Sequence, residues 1–367
     1  MNGISRKIIV EISIYEFDHT KGVSNMTVKK NRQWLLKSRP VGLTKESDFE
    51  MVENDISGLK DGEILIRNIY LSLDPTNRGW MNPIKTYVSP VKTGSVMRGI
   101  GIGIVEESKN SRYSQGTIVT GLLGWQDYAR SDGSGWLTII PSLPNVPLPA
   151  FLNLYGMIGL TAYFGLLEIG EPKEGETLVI SAAAGAVGSL VGQIGKIKGC
   201  RVIGIAGTDE KCNWLTNDLG FDAAINYKSE SVFNRLKDLC PEGIDIYFAN
   251  VGGKILDAAL GNLNLNARVI ICGLISQYNA TERMPGPYNF ANILLKRASV
   301  TGFLVTDYLH RMMEAIPDLH SWHTSGKLHY REEIVDGLEN APKTFNKLFD
   351  GSNKGKLIIK IFEEPTT

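Results

Sequence analysis

Residues 177–211, TLVISAAAGAVGSLVGQIGKIKGCRVIGIAGTDEK, hold the densest grouping of residues able to do chemistry through their backbone. Thr177 to Ala182 is a short apolar run rich in β-branched side chains, suited to a strand covered on both faces of a parallel sheet. At Gly185 and Gly188 a chain without Cβ can turn sharply and bring its N–H groups up to an anion. Val187, Leu190, Val191, Ile194 and Ile197 then recur on one helical face, while Gly188, Gly192 and Gly195 let that helix approach the sheet. Arg201 to Ala206 supplies a second strand. Strand, glycine turn, helix and strand together predict a pyrophosphate-binding crossover at Ala184, Gly185, Ala186, Val187 and Gly188. The alternative is an ordinary α/β crossover with no ligand.

The tip of the second strand bears on which dinucleotide fits. An Asp or Glu there would hold a ribose 2′-hydroxyl, but this strand ends Ile205-Ala206-Gly207-Thr208. Without a carboxylate a 2′-phosphate is not repelled, and Thr208 and Lys211 offer it a hydroxyl and a positive charge. NADP(H) is therefore the expected cofactor. Asp209 is the counter-indication, although it reads equally as the cap of the next helix.

Further strands are expected at Ala223–Asn226, Ile244–Ala249, Arg268–Gly273 and Val300–Val305, with helices between, giving a doubly wound parallel sheet. Ligands in such sheets lie at the carboxyl ends of the strands. Tyr227, Asn250, Val251, Tyr278, Phe303 and Val305 fall in or beside those ends. Tyr278 is the one suited to chemistry, because a phenol can donate a hydrogen bond to an oxygen gaining negative charge without ionising itself.

AAAGAVGS, GTDEK, FDAAINYK, NVGG, CGLISQYN and GSNKGK occur in an order that resembles the zinc-independent medium-chain reductases of the leukotriene B4 dehydrogenase, prostaglandin reductase and curcumin reductase type. The likeness runs from about Asn31 to Phe362. It implies a GroES-like β-barrel substrate domain at 31–148 and 322–367, a Rossmann cofactor domain at 149–321, and a homodimer. It further implies that Tyr227 packs near the 2′-phosphate with Lys211, that Tyr278 stands beside the nicotinamide ribose and substrate carbonyl, and that Asn353 meets the cofactor across the cleft. Asn353 also suits plain glycine-turn geometry. Two positions depart from the family pattern. Ala249 stands where an acid is usual, and Thr76, in LSLDPTNRGWM, where an aromatic is common.

The elements that must hold these residues follow from the rest of the 367-residue chain, which is long enough for two domains. Its 39 basic and 39 acidic residues leave no net charge and no basic run, which argues against a nucleic-acid partner. Ile8 to Tyr15 is interrupted by Glu11 and too short for a secretory core, and no stretch reaches membrane-spanning length, so the cytoplasm is the expected location. Residues 1–30 read as an extension of unknown role. Cys200, Cys212, Cys240 and Cys272 are too widely spaced for a disulfide framework or a zinc ribbon. His320, His323 and His329 lack a neighbour to complete a ligand set, so no metal site is expected.

Short strand-like runs at Gln33–Lys37, Glu63–Ser72, Gly99–Val105, Thr117–Leu123 and Trp136–Ile140 predict a β-rich first domain. Trp80, Met81, Tyr87, Met97 and Trp125 are candidates for an apolar pocket, with one or two expected to face substrate and the others to be core. Arg78 and Arg98 read either as orienters of a polar substrate group or as partners of surface carboxylates. Prolines 141, 144, 147 and 149 make a semi-rigid crossing between domains. Ile334, Leu338, Phe345 and Leu348 recur at helical spacing, before a closing strand at Leu357–Phe362.

The expected reaction is NADPH-dependent reduction of the C=C bond of an α,β-unsaturated ketone or aldehyde, with Tyr278 stabilising the enolate. Quinone reduction is the enzymatic alternative, and non-catalytic NADPH binding the alternative of another kind.

Overall fold

The structure, a computed structural model, describes residues 29–365. The expected extension at 1–30 therefore lies outside the described residues, save for Lys29 and Lys30. Among the described residues there are fifteen strands. In the first half they are β1 Lys30–Leu36, β2 Phe49–Asp55, β3 Ile64–Ser72, β4 Gly101–Ser108, β5 Ile118–Gly121, β6 Tyr128–Ser131 and β7 Leu137–Ile139. In the second they are β8 Thr177–Ser181, β9 Arg201–Ala206, β10 Ala223–Asn226, β11 Ile244–Ala249, β12 Leu263–Ile271, β13 Ser299–Gly302, β14 Glu332–Asp336 and β15 Lys356–Lys360.

The fold is α/β, with a GroES-like β-rich layer beside a Rossmann sheet. Six parallel strands stand in the order β10-β9-β8-β11-β12-β13, the doubly wound arrangement whose order reverses between β8 and β11. β8, β9 and β11 are near-continuous runs of apolar residues and are almost wholly buried, as strands with helices on both faces must be. The helix Ala186–Ile197 presses Leu190, Val191 and Ile194 into the core, each fully buried and each contributing about 1.5–3 kcal/mol.

The other large sheet runs β14-β15-β3-β4-β5-β7, with β6 also pairing with β3, while β1 pairs with β2 and bridges to Val96 and Gln126. All its pairs are antiparallel except β14 with β15. The closing strand expected at Leu357–Phe362 is observed as Lys356–Lys360, and it lies between β14 and β3. The chain thus returns to the sheet that β3 began.

Several expectations are corrected. Ile334 belongs to strand β14, in register with Ile358, and not to a helix continuous with Leu338 and Phe345. Its spacing to Leu338 mimics a helical repeat, but Gly337 at φ 88° breaks the chain between them. β2, β6 and β14 carry Asn, Asp, Glu, Arg or Ser in place of clean alternation, and they form through pairing with stronger neighbours. β8 stops at Ser181 because Ala182 takes a left-handed conformation, φ 48°. β12 begins at Leu263 and ends at Ile271, and β13 ends at Gly302, so Phe303 and Val305 lie beyond it and Val305 opens a short 3-10 turn. The helix that follows that turn runs from Met312 to Thr324. No helix among the described residues is long and apolar enough to cross a membrane.

Candidate active site

Where β8 ends, Ala182 bends the chain and its carbonyl accepts from Gly185 N–H at 2.9 Å. Gly185 is the N-cap of the helix that follows and no side chain caps it, so the first N–H groups of Ala186, Val187 and Gly188 are available to an anion. A Cβ at Gly188 would stand 2.4 Å from the Ala182 carbonyl oxygen, which explains why only glycine allows this close turn. The cradle therefore fits a pyrophosphate. The returning chain lies against it, since Gly185 bridges to Gly355. Asn353 is in that returning turn, where its Nδ2 donates to the Gly355 carbonyl at 2.9 Å. Its side chain thus braces its own turn beside the cradle.

At the tip of β9, Thr208 caps the next helix by accepting from Lys211 N–H at 3.2 Å. The capping role thus belongs to Thr208, and its hydroxyl proton remains for another acceptor. Asp209 accepts from Asn226 Nδ2 at 2.7 Å. Tyr227 follows β10, is exposed, and lays its ring against Gly207. Lys211 Nζ donates to the Gly351 carbonyl at 2.7 Å, and burial together with the nearby Lys228 charge lowers its ammonium pKa below the usual range. Gly207, Thr208, Lys211 and Tyr227 are thus brought together.

Beside them is a hollow lined by Ala184, Glu210, Lys211, Trp214, Arg331 and Lys354. Sequence reasoning missed Trp214, Arg331 and Lys354. The Arg331 guanidinium lies 5.7 Å from the Trp214 ring centre, and Lys354 Nζ meets Glu210 at 2.6 Å. More than a hundred residues separate these partners, so no local pattern could have announced them.

At the carboxyl ends of β11 and β12, Asn250 N–H donates to Ser181 Oγ at 2.9 Å and its Nδ2 to the Ser181 carbonyl at 2.8 Å. The carbonyls of Asn250 and Val251 accept from Ile275 and Ser276 N–H, which fastens the loop carrying Tyr278. Tyr278 ends a short 3-10 turn, and its hydroxyl folds back over Gly273 to accept from Leu274 N–H at 3.3 Å. Burial pushes the Tyr278 phenol above its ordinary pKa, so it stays neutral and keeps its proton. Phe303 packs its ring edge-on to Phe248 and Tyr308, and Val305 packs on the same core.

Of the five pocket candidates, Trp80, Met81, Met97 and Trp125 are buried in one apolar cluster with Leu36, Phe49 and Phe345. Only Tyr87 is exposed, and its hydroxyl bonds to Thr76 Oγ1 and accepts from Trp80 Nε1 at 3.2 Å. Arg78 is not a surface ion-pair partner, for it is 3% exposed and bonded to neutral acceptors. Arg98 lies over the Trp80 ring. His320 bonds Tyr155 and His323 bonds the Leu328 carbonyl, and no group of three or more His, Cys, Asp or Glu among the described residues could hold a metal. The four cysteines are free thiols.

Comparison with known proteins places this arrangement. A family model described as the N-terminal domain of oxidoreductase matches residues 32–139, and one described as zinc-binding dehydrogenase matches 186–321. The NADPH-dependent curcumin reductase of Escherichia coli (strain K12) is 47% identical over 338 residues, 91% of this chain and 97% of its own. The NADP-dependent 2-alkenal reductase of Nicotiana tabacum is 41% identical over 340 residues, 91% of this chain and 98% of its own. The crystal structure of CurA from Vibrio vulnificus in complex with NADPH is similar at TM-score 0.86 and 48% identity, covering 91% of this chain and 100% of that one. With a glycine cradle for a pyrophosphate, no carboxylate at the tip of β9 and relatives of this identity along nine-tenths of its length, the chain belongs to the zinc-independent medium-chain dehydrogenase/reductase family and is an NADP-dependent oxidoreductase.

Proposed function

We propose that the chain reduces the C=C bond of an α,β-unsaturated ketone or aldehyde, with Tyr278 stabilising the enolate that forms. The names of the relatives that act on curcumin and on 2-alkenals support this substrate class. NADPH, when bound, supplies the hydride that adds to the β-carbon. The protein's own work is to bind, orient and donate. The observation that carries the reading is Tyr278 at the carboxyl end of β12, with a hydroxyl that accepts from Leu274 N–H and so has its proton free for a carbonyl oxygen. As negative charge moves onto that oxygen the phenol hydrogen bond strengthens, and a proton from water or from Tyr278 completes the α-carbon. If Tyr278 gives the proton, solvent restores it.

In the same reading the pyrophosphate rests on Ala184, Gly185, Ala186, Val187 and Gly188, and the 2′-phosphate meets Gly207, Thr208, Lys211 and Tyr227. Asn250, Val251, Tyr278, Phe303, Val305 and Asn353 frame the nicotinamide end. Residues 31–148 and 322–367 form the substrate side and 149–321 the cofactor side. Two copies associate, since β13 is the outer strand of its sheet with all four residues exposed, and Tyr288, Phe290, Leu294 and Leu295 leave an apolar surface close to it in the chain.

The test is NADPH oxidation against alkenals, cyclic enones and quinones, with product analysis, for the parent and Tyr278→Phe. Saturated carbonyl products and a fall in kcat of about 10²-fold are expected from loss of one such donor. Full turnover by the variant on every enone would remove the tyrosine from the mechanism, and turnover of quinones alone would change the substrate class.

A further inference from the structure

Arg78 is a buried guanidinium whose hydrogen-bond partners among the described residues are all neutral. It sits in the short helix Thr76–Trp80 on the GroES-like side. Its Nη2 donates to the carbonyls of Pro40 at 3.0 Å and Gly42 at 3.1 Å, and its Nη1 donates to Asn82 Oδ1 at 2.7 Å. Its Nε crosses to the other side of the molecule and donates to Asn279 Oδ1 at 2.9 Å. Arginine has donors only, so the amide oxygen of Asn279 must face it and the orientation of that side chain is settled by chemistry. Asn279 is the residue after Tyr278.

The loop is thereby held at two ends. Its base is fastened to Asn250 and Val251 by backbone hydrogen bonds, and its outer end is fastened to Arg78. Gly42, one of the Arg78 acceptors, also lies close to the Thr281 methyl, so the loop rests on the same segment that Arg78 holds. Tyr278 stands between the two fastenings.

We propose that Arg78 is a positioning residue, a strut from the substrate side that sets the Tyr278 hydroxyl through Asn279. This rests on the reading of Tyr278 given above. Its physical content is that the Asn279 oxygen at 2.9 Å is the nearer of the two acceptors of the buried Nε–H, the Gly42 carbonyl standing at 3.3 Å, so the Arg78–Asn279 bond is the one favoured and turns the position of one half of the molecule into the position of the hydroxyl. The same bonds turn the Arg78 guanidinium toward the protein, so it serves as a structural donor to Asn279 and not as an anchor for a substrate anion.

The experiment compares Asn279→Ala, Asn279→Asp, Arg78→Lys and Tyr278→Phe, alone and with Asn279→Ala combined with Tyr278→Phe. The readouts are kcat and KM for an enone, NADPH affinity by fluorescence titration, and Tm. Asn279→Ala is expected to lower kcat by about tenfold with NADPH affinity unchanged, the equivalent of one hydrogen bond to a charged group. Asn279→Asp keeps an acceptor for Nε and is expected to retain most of the parent kcat. Arg78→Lys, which cannot span the same fork, is expected to behave like Asn279→Ala. In the Tyr278→Phe background, Asn279→Ala should cost little more, because both act through one hydroxyl. A parent-like kcat in Asn279→Ala while Tyr278→Phe is impaired would overturn the strut and spare the tyrosine. Full additivity in the double variant would also overturn it. Full activity of Tyr278→Phe would overturn both.

Discussion

At the scale of single residues, Lys211 is the side chain proposed to set cofactor preference. Its ammonium is half buried, bonded to the Gly351 carbonyl and close to Lys228, so an added anion would relieve both the burial and the repulsion. A charge-assisted hydrogen bond to a phosphate is worth about 1.5–3 kcal/mol. Lys211→Ala is therefore expected to weaken NADPH binding by roughly ten- to a hundredfold while leaving NADH binding nearly unchanged, as measured by fluorescence titration with each cofactor. The NADH arm matters because the substitution also removes the contact to Gly351. An equal loss for both cofactors would assign Lys211 to bracing alone. Thr208 and Tyr278 show a shared device, in which a hydroxyl accepts one backbone N–H and so is oriented, with its proton left for a ligand.

At the scale of elements, the helix Ala186–Ile197 governs the cradle because its first turn is the cradle. Its glycines are places of contact. A Cβ at Gly192 would stand 1.9 Å from Phe221 Cζ, inside the van der Waals radius of a fully packed ring. Gly192→Ala would force the helix or Phe221 to move. Overpacking of this kind costs about 1–3 kcal/mol, so Tm should fall by several degrees in a thermal melt, and NADPH affinity should fall with it as the first turn shifts. An unchanged Tm would mean that Phe221 yields freely. The loop Ile275–Ala280 is the second such element, short and bonded at its base to Asn250 and Val251 and through Asn279 to Arg78, with Tyr278 between the two fastenings.

At the scale of the whole molecule, the two halves meet at contacts distant in sequence. Lys211 reaches Gly351, Lys354 reaches Glu210, Gly185 bridges Gly355, and Arg78 reaches Asn279. The strand β13 forms one outer edge of its sheet. With Tyr288 88% and Leu294 80% exposed, and close in the chain to a strand with one unpaired edge, association of two copies would cover apolar surface and complete the backbone bonding of that edge. Light scattering on the eluting protein is expected to give twice the chain mass. Val300→Lys combined with Leu294→Glu is expected to give the single-chain mass with the fold intact by circular dichroism. A parent protein that elutes as a single chain at micromolar concentration would refute the association.

Much of the cofactor half was legible in the sequence because its signals are local. β9, β10 and β11 fall where runs of apolar residues put them, and the glycine turn lies between its strand and helix as spacing requires. Backbone N–H groups at a helix start need only a few adjacent residues, so residues 177–211 suffice to specify them. The ends of β12 and β13 were less legible, since a strand stops where its neighbour no longer pairs and that neighbour is remote in sequence. Ile334 read as helix because period alone cannot register Gly337 turning the chain or β15 waiting alongside. The tertiary structure alone decided that Trp80, Met81, Met97 and Trp125 are core, that Arg331 and Lys354 stand beside Lys211, and that Arg78 holds the residue next to Tyr278. Each of those facts is a meeting between segments tens to hundreds of residues apart, and the free energy that selects such meetings comes from burial and from satisfying buried donors, which no single stretch of chain contains.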